Sequence, residues 1–188
     1  MQIKKIVALA TLMVSSYAMA DTYVAGTYDQ KDKLNTTEVH HVYGLNVGEK
    51  FSNGFTVEGR MEDEHVTTAG ADHSQEGLLQ IKASYDFTGL PVIVPFAGVA
   101  VGMKDKTTSQ FAYYLYEAGL KSNFGPVEVK LSGRERQAFD SANNWDTHEY
   151  TAQIGYALTK KDKIAIAYKE ERGTSNYNTK SINYTHSF

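Results

Sequence analysis

The chain has 188 residues, with 19 Lys+Arg against 22 Asp+Glu and a net charge of -3. It carries no polybasic tract and no acidic tail, so nucleic acid is not an expected partner. It contains no cysteine, which excludes a small disulfide-stapled scaffold.

The N-terminus reads MQIKKIVALATLMVSSYAMA: Lys4 and Lys5, an apolar stretch over 6–14, then small residues ending at Ala20. These are the three parts of a secretory signal peptide. A spanning helix needs about 20 predominantly apolar residues, and this core is far shorter. Residues 1–20 are therefore expected to be removed, leaving a single domain over 21–188.

The mature part is rich in Tyr (13) and Phe (8), with 3 Pro and 15 Gly, a composition that suits strands better than helices. Its hydrophobic period is two, in about ten segments near 22–28, 39–47, 55–66, 78–87, 92–103, 111–124, 127–139, 148–158, 163–172 and 179–188. Tight connections follow the even-numbered segments: GEKFSNG, TGLP, FGP and TKKD. Longer polar ones follow the odd-numbered segments: QKDKLNTTE, TTAGADHSQE, KDKTTSQ, DSANNWDT and GTSNYN. Such alternation predicts an all-β, antiparallel transmembrane β-barrel of about ten strands, eight being the alternative. Its turns are short on the periplasmic side and its loops longer outside.

The third segment, FTVEGRMEDE, tests the orientation. Phe55, Val57 and Met61 share one face, and Glu58, Arg60, Glu62 and Glu64 the other. A Lys or Arg facing lipid at the midplane costs about 2–4 kcal/mol, so the charged face is expected to turn inward. Aromatic placement supports this. One face of the eighth segment reads Tyr150, Ala152, Ile154, Tyr156, Leu158, with rings on either side of an aliphatic middle. Tyr43, Tyr114 and Tyr116 fit less well, since they fall nearer the middle of their segments.

The last segment, TKSINYTHSF, places Ile182, Tyr184 and Phe188 on one face. It resembles the C-terminal signature of bacterial outer-membrane barrels, which the barrel assembly machinery recognises. PVIVPFAGVAVGM resembles a central strand of small barrels of the OmpA-like and porin-like class. FSNGF, at 51–55, is similar to the turn in oligogalacturonate-type porins, although aromatic-Asn-Gly turns recur on geometric grounds alone. The class resemblance implies a bacterial outer-membrane location. Its expected partners are lipid and lipopolysaccharide, with periplasmic chaperones and the assembly machinery during biogenesis.

Carried round the sheet, the alternation gives the interior Glu38, Glu58, Glu62, Glu64, Asp86, Glu117, Glu128 and Glu149. With these come Arg60, Lys82, Lys121, Lys130, Arg134, Arg136 and Lys169. The second and third segments supply mainly acids and the seventh, VEVKLSGRER, mainly bases. Glu58, Arg60, Glu62, Lys130, Arg134 and Arg136 are thus the expected constriction. Either side chains reach across and pair, closing the lumen, or they leave a narrow path for small polar solutes. Neither a cofactor nor a metal is required, and no catalytic residue is assigned.

Two other function classes compete. Outer-membrane hydrolases such as omptin-type proteases and lipid A deacylases, directed at peptide or lipid A, place His and carboxylate at the outer rim. His40, His41, His65, His73 and His148 map there, with His40 expected opposite Glu62. The acidic stretches with Asp63, Glu64, His65, Asp72 and His73 match no closed metal-site spacing. Surface adhesion through the outer loops is the third reading, with Trp145 in DSANNWDT as an anchor for a partner or for headgroups.

Overall fold

The computed structural model describes residues 20–67, 74–90, 92–106, 109–143, 145–174 and 176–188. The expected signal segment therefore lies outside the described residues, apart from Ala20. Ten strands follow in chain order: β1 (Ala20–Lys33), β2 (Val39–Phe51), β3 (Phe55–Thr67), β4 (Ser74–Asp86), β5 (Ile93–Asp105), β6 (Gln110–Phe124), β7 (Val127–Ala138), β8 (Thr147–Ala157), β9 (Asp162–Gly173) and β10 (Tyr177–Ser187). Each pairs antiparallel with its chain neighbours, and β1 closes the ring against β10. That seam runs in unbroken register from Tyr23 opposite Ser187 to Lys33 opposite Tyr177, and the Phe188 amide adds a bond to the Thr22 carbonyl, 3.0 Å.

The exterior answers the orientation question. Ile154, Ile166 and Ile182 lie side by side on β8, β9 and β10 and are all exposed, Ile166 at 62 %. Leu45, Ile81, Val99, Val101, Leu120 and Leu131 are likewise exposed on other strands. A closed barrel with an aliphatic belt is one of the two structures that satisfy every backbone polar group within hydrocarbon. Aromatic pairs flank the belt. Tyr85 with Phe87 (ring centroids 5.1 Å) and His186 with Phe188 (4.9 Å) mark the inner side, and Tyr28 with Tyr43 (5.4 Å) and Tyr114 with Phe139 (5.1 Å) the outer. Tyr43 and Tyr114, mid-segment in the sequence reading, join the outer girdle because polar strand ends continue beyond them. Residues Lys31 to Lys33, Lys104, Thr147 and Tyr177 all extend the ladder out of the polar connections.

The inner turns show why these sequences reverse there. Gly54 has φ of 90°, and a side chain on it would come within 2.6 Å of the Asp86 carbonyl. Only glycine combines that conformation with that approach. Asn53 accepts the Phe55 amide at 3.0 Å and fixes the hairpin. The longest connection among the outer ones is 139–146, between β7 and β8, which contains a short 3-10 turn, Ser141–Asn143.

Candidate functional site

The inward faces build a lumen in three layers. At the inner end a vestibule of about 510 Å³ is bounded by Glu58, Lys82, Glu117, Lys121 and Lys130 among others. At the outer end a second, of about 360 Å³, lies among Lys33, Glu38, His40, Glu76 and Tyr177. Between them is a septum with a cavity of only about 20 Å³. That is room for little more than one water. Asp29, Glu62, Gln80, Arg134 and Arg136 contribute to it.

The six residues expected at the constriction all face the lumen, at different depths. Glu58 and Lys130 border the inner vestibule, and Glu62 lies in the septum. Arg60 and Arg134 border both, while Arg136 sits between the septum and the outer vestibule. Their pairing departs from a bridge between opposite walls. Arg60 pairs with Glu62 on its own strand, and Glu58 accepts the Tyr23 hydroxyl, 2.7 Å. Lys130 and Lys82 both reach Glu117 at 2.8 Å. Arg134 meets Glu149 at 2.7 Å, and Arg136 meets Glu171 at 3.1 Å. Among the described residues, the lumenal ion pairs thus link residues of the same, adjacent or next-adjacent strands. Barrel curvature converges inward side chains two strands apart, so these Lys, Arg and Glu side chains find partners along the wall without having to span the lumen.

Above the septum the Glu64 carboxylate is shared by three cationic or imidazole groups. Lys31 lies at 3.2 Å, Lys104 at 2.5 Å and His40 Nδ1 at 2.7 Å. Lys104 also reaches Glu76 at 2.9 Å, and His40 Nε2 reaches Glu38 at 2.6 Å. The expected apposition of His40 with Glu62 is therefore corrected. The register sets His40 opposite Val66 and Gly44 opposite Glu62, which carries Glu64 to the imidazole instead. With both ring nitrogens bonded to carboxylates, His40 presents no nitrogen to a substrate. His41 bonds the Tyr28 hydroxyl at 2.8 Å, His65 lies 3.2 Å from Asp63, and His148 lies 3.3 Å from Glu135. Asp72 and His73 lie outside the described residues. Among those described, no three metal-ligating side chains converge. Glu38, in the β1–β2 connection, is pushed up by burial, but hydrogen bonds from Lys33 and His40 outweigh this and hold its carboxyl below the ordinary value.

Two features escaped the sequence reading. Lumenal partners such as Asp29, Lys31, Lys104 and Glu171 were not singled out, although alternation places them inward. The second is a small apolar core inside the barrel, built from Ala100, Phe111, Tyr113, Leu115 and Trp145, with Leu78 and Ala138 against it. Tyr113 is fully buried over Gly102, where a side chain would stand 2.5 Å from its hydroxyl oxygen, and it donates to Gln80 at 3.0 Å. The signal was available: Phe111, Tyr113 and Leu115 alternate on the inward face of β6. Trp145, expected at the loop surface, is 7 % exposed and lies in the lumen, because its indole completes this core.

On the outer wall Ile182, Tyr184 and Phe188 all face outward on β10 and beside its end, each exposed. His186 is tied to Asp162 at 2.8 Å.

No family model and no curated protein matches the chain. Solved structures do. The COG4313 outer membrane channel from Pseudomonas putida F1 superposes with TM-score 0.64 at 7% identity, over 92% of this chain and 97% of that one. A KdgM porin in complex with disordered oligogalacturonate gives 0.56 at 15%, over 88% and 99%. A NanC porin structure gives 0.54 at 9%, over 87% and 98%. The fold is that of outer-membrane porins and channels.

Proposed function

We propose that this protein is a narrow, porin-like channel of the bacterial outer membrane whose interior favours small anions. The observation that carries this reading is the three-layer lumen and the charge on its inner vestibule. Ten Lys or Arg side chains border that vestibule against six Asp or Glu, in a chain whose overall charge is -3. A low-dielectric wall focuses such an excess along the axis and raises the local anion concentration. Fold likeness to solved channels supports the reading. The residues that set passage are Glu58, Arg60, Glu62, Lys130, Arg134 and Arg136, acting through charge and bore and not as catalysts. A hydrolytic role draws no support from His40, whose ring is fully engaged.

Purified protein in planar bilayers under a KCl gradient tests this. Small conductance steps are expected, with a reversal potential on the anion side that moves toward cations in Lys121→Glu/Lys130→Glu. A complete lack of steps would leave only a structural barrel. The same reading includes export with cleavage ahead of Asp21, which the mass of the exported protein checks. It also includes lipopolysaccharide around the outer girdle, checked by co-purification, and delivery by periplasmic chaperones to the assembly machinery through Ile182, Tyr184 and Phe188.

A further inference from the structure

We propose that Trp145 is the plug of this conduit, the residue whose indole closes the septum off from the outer vestibule and limits the size of solute that passes. The inference rests on the channel reading above and adds to it a single determinant.

Trp145 lies in the 139–146 connection, yet it is almost fully buried while its neighbours Phe139, Asp140 and Asp146 are exposed. Its ring meets Phe111 and Tyr113 edge-on, both with centroids at 5.1 Å and at 80° and 85°. The Arg136 guanidinium lies over the indole, 3.5 Å from its centroid, and Lys104 Nζ stands 5.9 Å away. Stacked there, Arg136 keeps its in-plane bond from Nη2 to Glu171, while its buried Nε has no hydrogen-bond partner among the described residues. Two aromatic and two cationic contacts thus hold the indole in the lumen.

Its place in the lumen makes the contact functional. Four residues border both the septum and the outer vestibule: Lys31, Lys104, Arg136 and Trp145. Lys31, Lys104 and Arg136 project from ladder strands, where alternation alone directs them inward. Trp145 comes from a connection, so strand pairing does not require its side chain to enter. Its side chain takes no part in the strand ladder, so truncating it leaves strand pairing in place, whereas the septum would lose its bulkiest member. Loss of the indole should therefore merge the septum with the outer vestibule.

The experiment compares wild type, Trp145→Ala and Trp145→Phe in planar bilayers, after each has passed the heat-shift gel assay for a folded barrel. A several-fold larger step in Trp145→Ala, with Trp145→Phe between it and wild type, is expected. Equal steps in all three would overturn the plug and leave the channel standing. Silence from all three would overturn both. Because the chain has 1 Trp, its fluorescence reads the same side chain without any current. Blue-shifted emission with weak acrylamide quenching is expected, and solvent-like emission with strong quenching would overturn the plug whatever the bilayer records.

Discussion

Replacing Glu64 by Gln keeps the volume and removes the charge that Lys31, His40 and Lys104 share. The magnitude follows from which partners are left alone. Lys104 keeps Glu76 at 2.9 Å and His40 keeps Glu38 at 2.6 Å, so neither side chain is left without a carboxylate partner. Lys31, a fifth exposed, loses its nearest carboxylate. Breaking a buried pair outright costs about 3–5 kcal/mol, and a charged hydrogen bond contributes about 1.5–3. With two of three donors retained elsewhere, and an outer vestibule of about 360 Å³ adjoining, the expected loss is about 2–3 kcal/mol. Urea unfolding in detergent micelles, followed by gel mobility and tryptophan emission, measures it. Glu76→Gln, whose carboxylate is a fifth exposed and bonded to Lys104, should cost about 1 kcal/mol or less by the same assay. If Glu64→Gln unfolds at the wild-type midpoint, or costs no more than Glu76→Gln, the shared carboxylate does not hold the outer lumen together.

Ile166→Arg places a cation in the aliphatic belt and should cost about 2–4 kcal/mol in the same titration. An unchanged midpoint would mean the belt does not face lipid. Phe188→Ala should lower the folded fraction in the outer membrane while leaving refolding into detergent unaffected, as a heat-shift gel of both preparations would reveal; equal loss in both would assign Phe188 to stability alone. Glu38 supplies a pH signature. Its folded carboxyl titrates below the unfolded value of about 4.3, so its contribution is complete above that value and disappears as pH falls through the lower folded one. Protease cleavage in the β1–β2 connection should accordingly not rise between about pH 7 and 5, and should rise only in more acidic solution. Onset of cleavage already near neutrality would refute the Glu38 clasp.

Period-two alternation makes the wall legible in the sequence, because in a barrel one face meets lipid and the other does not. FTVEGRMEDE alone orients β3, and Ile182, Tyr184 and Phe188 orient β10. Glu58, Arg60, Glu62, Lys130, Arg134 and Arg136 were found inward for the same reason. Their partners were not, since partner choice depends on stagger between strands: His40 stands opposite Val66, four residues along β3 from Glu62, and so meets Glu64. Trp145 was misplaced for another reason. A connection has no period, so nothing in DSANNWDT records that its indole turns back into the lumen, and only the inward triad Phe111, Tyr113 and Leu115 hints that an apolar lid is needed there.

The seam between β1 and β10 imposes a constraint in time. Its partners stand at opposite ends of the chain, so β1 carries unsatisfied amides and carbonyls until the 11 residues of β10 have arrived. Hydrocarbon cannot solvate such an edge. Entry into the bilayer and circularisation are consequently coupled, and a polypeptide cut short of Tyr177 would be left as a curled sheet with nowhere to insert.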